Sequence, residues 1–88
     1  MSKKAKRHME RVRSLGCLIC REVLGVRDTP ASAHHVFQKR SDWLTVPLCH
    51  EHHQGKTGFH GLGQREFERR YNIDEEDLLS MTIEALHS

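Results

Sequence analysis

Two pairs of metal-donor residues, "CLIC" at 17–20 and "CHEH" at 49–52, constrain this chain more than any other feature. Each pair leaves two residues between its donors, enough for the backbone to turn and aim both side chains at one ion. Cys17, Cys20, Cys49 and His52 therefore form a candidate structural zinc site, tetrahedral, with donors ~2.0–2.3 Å from the metal. Zinc neutralises the thiolates, so its binding contributes directly to folding. That contribution matters in a chain of 88 residues with 36% hydrophobic and 30% charged content, because so small a core stabilises only weakly by itself. An odd count of three cysteines argues against a closed disulfide framework. The plain alternative is two buried cysteines, a free thiol and a surface histidine, which leaves the second matched pair without a reason.

The length predicts one domain, residues 1–88, and nothing in the composition marks a linker, repeat or low-complexity segment. The start, "MSKKAKRHMERVR", has no apolar run behind it, and no stretch approaches the ~20 apolar residues of a membrane span. The expected location is intracellular and cytoplasmic, in a reducing compartment that leaves thiols free for metal, with no membrane partner. The net charge of +2 hides an uneven distribution. Lys3, Lys4, Lys6, Arg7, Arg11 and Arg13 crowd the start, while Asp74, Glu75, Glu76, Asp77 and Glu84 load the tail. A basic start suits a nucleic-acid contact, and it equally suits a solvated helix face.

Ala5, Met9, Val12 and Leu15 form an apolar stripe that predicts a basic helix over 4–15, stopped by Gly16. Residues 21–32 read as a turn-rich connection around Gly25 and Pro30. "AHHVF" at 33–37 and "LTVPL" at 44–48 suit two strands, with Pro47 setting the end of the second at an edge. Gly55, Gly58, Gly61 and Gly63 break residues 50–63, leaving room for a short helical piece that carries His52 and His53. "QREFERRY" at 64–71 predicts a helix with Phe67 and Tyr71 one turn apart. Asp74 opens a last helix, 74–86, whose acidic first turn suits the helix dipole. Leu79, Ile83 and Leu86 are its expected inner line, flanked by Leu78, Thr82 and Ala85. The fold class is α+β: a zinc-stapled ββα core over 33–60, between the basic N-terminal helix and the C-terminal helices.

Six of the eight histidines lie between positions 34 and 60. Setting aside His52 and the knuckle residue His50 leaves His34, His35, His53 and His60. Strand neighbours face opposite ways, so His34 and His35 divide their labour: one can bind metal while the other points elsewhere. His53 directly follows a zinc ligand, and His60 lies just beyond the flexible "GKTG" link. Each alone reads as an ordinary hydrogen-bonded histidine. Together they suggest a second metal site with an open coordination position.

The stretches "CLIC", "AHHVF", "VPLCHEHH", "FHGLG" and "FERRY" together resemble the HNH nucleases, whose active site is a ββα-metal fold. The likeness runs over about residues 8–86 and is nearest to small phage nucleases related to the bacteriophage recombination enhancement function protein. It implies that His35 is the general base and that His34 binds a catalytic divalent metal. It implies further that His53 is the ligand on the α element and His60 a further ligand or phosphate contact. Which of His53 and His60 is the main second ligand stays open. Cys17, Cys20, Cys49 and His52 match the structural zinc that many HNH domains add. The middle asparagine of the HNH name has no counterpart in "SDWLTVPLC"; Asp42 is the nearest candidate for orienting the base.

The resemblance thus implies a metal-dependent DNA endonuclease of low sequence specificity, hydrolysing phosphodiester bonds in phage or bacterial DNA recombination or processing. A neutral imidazole can accept a proton from water near pH 7. A divalent ion (Mg2+, Mn2+ or Zn2+) held by few protein ligands offsets charge developing on the phosphate. Lys39, Arg40 and Lys56 are the expected phosphate contacts, with Arg27, Arg65 and Arg69 extending the surface. The implied partners are DNA and, by analogy alone, a recombinase filament. Two rivals stand beside this reading. A non-catalytic zinc module binding nucleic acid or protein leaves "AHH" and His60 idle; an adaptor using the acidic last helix would mask Leu79 and Ile83.

Overall fold

Helix α1 spans Lys3–Ser14 and starts where the Ser2 hydroxyl accepts the Ala5 N–H. It belongs to a computed structural model that describes residues 2–88; Met1, part of the expected domain, lies outside the described residues. Ala5, Met9 and Val12 are buried, and Leu15 caps the helix half-buried. Gly16 follows at φ +80, where a Cβ would also sit 3.2 Å from the Asp28 Cα. Glycine alone takes that backbone without strain, so the chain turns sharply into the first donor pair.

Strands β1 (Ser32–His35) and β2 (Thr45–Leu48) form a two-stranded antiparallel sheet with Ser32 opposite Leu48 and His35 opposite Thr45. The first strand is shorter than "AHHVF" suggests. Phe37, Gln38 and Lys39 take left-handed φ of 55, 58 and 61, which ends the extended backbone after His35. Pro47 sits inside β2 opposite Ala33, not at a strand end. A two-stranded sheet gives every strand one unpaired edge, where a residue without an N–H costs no ladder bond.

The core lies between this sheet and the helices. Leu18, Ile19, Val36, Val46, Leu48, Phe67 and Leu78 are all fully buried. Helix α2 (His50–His53) leaves β2 at Cys49, and α3 (Phe59–Leu62) follows after a five-residue loop. That loop was expected to be a flexible link, and it is tied down. Glu51 Oε2 accepts both the Thr57 N–H and the Thr57 hydroxyl, while Tyr71 OH donates to Thr57 O at 2.6 Å. Gly61 lets α3 lie flat on the loop, since a Cβ there would collide with the Gly55 carbonyl. Helix α4 (Gln64–Tyr71) buries Phe67 against Phe59 and Tyr71, with ring centroids 5.4 and 4.8 Å apart.

Helix α5 (Glu75–Leu86) opens with a capping box: Asp74 accepts the Asp77 N–H, and Asp77 accepts the Asp74 N–H. Its inner face corrects the sequence expectation. Leu78 and Thr82 are buried, Leu79 and Leu86 are half-buried, and Ile83 is 49% exposed. Thr82 fits inside because its hydroxyl donates to Leu78 O at 2.8 Å, leaving no unmet polar group there. Residues 21–32 also hold more structure than a turn-rich link: Cys20–Leu24 make a π-helical turn, closed by Gly25 at φ 70. The result is a small mixed α/β fold with a two-stranded sheet and helices. Among the described residues no helix is long and apolar enough to cross a membrane.

Candidate functional site

The turn after Gly16 presents Cys17 and Cys20; the end of β2 presents Cys49, and the first turn of α2 presents His52. All four are buried, and their donor atoms lie within 4.8 Å of one another. His52 Nδ1 is 3.6 Å from Cys17 Sγ, 3.6 Å from Cys20 Sγ and 3.2 Å from Cys49 Sγ. The Cys20 and Cys49 sulfurs are 3.8 Å apart. Donors ~2.0–2.3 Å from one tetrahedral ion stand about 3.3–3.8 Å from each other, so the set matches a zinc-sized ion. The Cys20 N–H also points at Cys17 Sγ, 3.5 Å away. Burial pushes the metal-free Cys17 thiol up to about 12 and holds the His52 imidazole below its ordinary value. A cation entering this cage therefore displaces thiol protons and meets an uncharged ring.

One residue further along α2, His53 turns to a different cluster. His34, His53 and His60 bring their ligand nitrogens within 4.8 Å of one another. Ring centroids are 4.7 Å apart for His34–His53, 5.6 Å for His34–His60 and 5.0 Å for His53–His60. His34 is 3% exposed and packs on the Phe59 ring, yet its Nε2 has no hydrogen-bond partner. Burial first, then the neighbouring His53, His60 and His35, drive its pKa down to about 3. Burial and His60 lower His53 as well. Converging imidazoles, one with a buried nitrogen that has no partner, are a donor set that suits a divalent cation.

Ser32 adds a support that the residue pattern did not signal. Its hydroxyl lies 3.0 Å from His53 Nδ1 and donates to Leu48 O at 3.3 Å. With its proton so used, Ser32 accepts the His53 Nδ1–H, which leaves Nε2 as that ring's free nitrogen.

His34 and His35, adjacent on β1, differ as strand geometry requires. His35 stays outside the cluster and directs Nε2 to Asp42 Oδ1 at 2.7 Å. Both histidines, with His53 and His60, line one cavity of about 550 Å³. Lys39 lines it too, carried there by the left-handed turn; Arg40 and Lys56 are exposed and outside its lining. Glu75 also lines the cavity. Its carboxylate accepts the Phe37 N–H at 3.0 Å and the Gln64 side-chain N–H at 3.0 Å, tying the first residue of α5 to the turn. No local pattern announces that contact, because Phe37 and Glu75 are 38 positions apart.

The model of one protein family, described as recombination enhancement, RecA-dependent nuclease, matches residues 2–87. No curated protein and no solved structure matches the chain.

Proposed function

The chain belongs to that family, and on this premise we propose that residues 1–88 are a single metal-dependent DNA endonuclease domain with an HNH-type ββα-metal centre built from β1, β2 and α2. One observation carries the reading: three converging histidines, one with an orphaned buried nitrogen, share a cavity with a fourth that is braced by a carboxylate. Family membership supports a nuclease acting in recombination. The donor sets support two metals of different kinds: a soft Cys3His cage for zinc and an all-imidazole site for a working cation.

In this reading His34, His53 and His60 hold the second cation, which when bound supplies positive charge to the scissile phosphate and the departing oxygen. The chain does the rest. An ionised Asp42 can only accept, so it takes the Nε2–H of His35 and fixes the ring's tautomer and direction. His35 Nδ1 is then the free nitrogen, and it takes a proton from the attacking water. Lys39, at the cavity wall, holds a phosphate oxygen, with Arg40 and Lys56 as outer contacts. These cations bind backbone and do not read bases, which supports weak sequence preference.

The test is divalent-ion-dependent nicking of plasmid and of displaced-strand DNA, with and without a RecA filament, beside a count of bound metals. Two metal equivalents and cleavage lost in His35→Ala are expected. One zinc and no cleavage under any ion would favour the non-catalytic zinc module.

A further inference from the structure

Trp43 is the only tryptophan in the chain, and it is 49% exposed. Large aromatic rings are mostly covered in folded domains, so a half-bare indole asks for a reason. The residue is not loose. Its backbone N–H donates to Ser41 Oγ at 3.1 Å, and its backbone carbonyl accepts from His8 Nε2 at 3.2 Å. The His8 ring lies against the indole, centroids 4.9 Å apart and tilted by 36°. The backbone of Trp43 is thus anchored on both sides, and its indole rests on the His8 ring yet stays open to solvent. It directly follows Asp42, the residue that braces His35.

The elements that meet at this ring also carry cations. Lys4 and Arg11 sit one turn either side of His8 on α1, and Lys39 and Arg40 lie on the same loop as Trp43. Among the described residues none of the four is ion-paired with a carboxylate; Arg11 touches only the Leu86 carbonyl, at 3.4 Å. An exposed aromatic face on elements that also carry unpaired cations matches a strand whose phosphates are held while a base stacks. In a duplex the bases already stack on one another, and their faces are out of an indole's reach.

We propose that Trp43, backed by His8, is a stacking platform for an unpaired nucleobase, so that the site takes DNA that is single-stranded beside the cleavage point. This rests on the nuclease reading and names its substrate class. The lone tryptophan is its own probe. In a His35→Ala background, which prevents turnover, a short oligothymidylate should quench the tryptophan fluorescence saturably, and a hairpin duplex should not. Trp43→Ala, checked for zinc content, should weaken binding of the dye-labelled single strand by about 5- to 150-fold, the range for loss of one stacking aromatic. Its duplex affinity should not change, and Trp43→Phe should restore most of the single-strand binding. Equal quenching by strand and duplex, or an equal affinity loss on both, would overturn the proposal. The readout is binding alone, so a failure of the cleavage assay and a failure here are told apart.

Discussion

His35 Nε2 donates to Asp42 Oδ1 at 2.7 Å, a bond that closes the loop between the two strands at the cavity wall. Both side chains keep partial solvent contact, 22% and 34% exposed, so the pair can reach water as well as each other. His35→Ala is expected to lower cleavage by ~10²–10⁴, the span for a lost general base, with folding and zinc content intact. Asp42→Ala should cost about 10- to 100-fold through the ring it orients. In the double variant the two losses should not add, since Asp42 has nothing left to hold. Additive losses would show that Asp42 works by another route.

Removing the first metal should have a different signature. Cys17→Ser, or a strong chelator, is expected to unfold the domain, because zinc binding in small Cys/His domains is worth ~10–16 kcal/mol and so exceeds the stability of the whole fold. Far-UV circular dichroism together with zinc stoichiometry measures it. A Cys17→Ser chain that kept its helices would remove this cage from the folding account.

Acid should destabilise the fold through His34. Its folded pKa, about 3, lies below the ordinary 6.5, so the unfolded chain binds a proton that the folded chain refuses. Its contribution is complete above pH 6.5 and is lost as the pH falls from there toward 3. The expected slope is ~1.4 kcal/mol per pH unit for this one site. Denaturant midpoints between about pH 5 and 7 should fall more steeply for the natural chain than for His34→Gln. Parallel curves would contradict the burial argument.

Glu75 should matter through the turn it holds. Three consecutive non-glycine residues with positive φ cost ~1–2 kcal/mol each, and the Glu75 carboxylate is a tie that retains them. Glu75→Ala is expected to raise KM several-fold at little change in kcat, because Lys39 leaves the cavity wall. Glu75→Gln, which still offers an acceptor to the Phe37 N–H, should recover most of it. In a Lys39→Ala background Glu75→Ala should add nothing further.

Donor spacing made the two clusters of donor side chains legible before any coordinates, because C-x2-C, C-x2-H and a surplus of imidazole are local facts. Strand parity likewise separated His34 from His35. What stayed hidden depends on distant partners. The inner face of α5 turns on whether Thr82 can satisfy its hydroxyl within the helix, and a reading by hydrophobicity chose Ile83 instead. The shortened first strand depends on Glu75, and the fixed place of His60 depends on Glu51 and Tyr71 gripping Thr57. Ser32 carried no signal, since a serine opening a strand has many ordinary uses.

His52 faces the thiol cage and His53, the next residue on the same helical turn, faces the cavity. One peptide bond separates the two clusters, so a change that unfolds the backbone around the thiol cage also displaces His53 from the cavity. Oxidants that consumed the thiols and loosened that backbone would disarm the proposed cutting centre without touching any of its own rings.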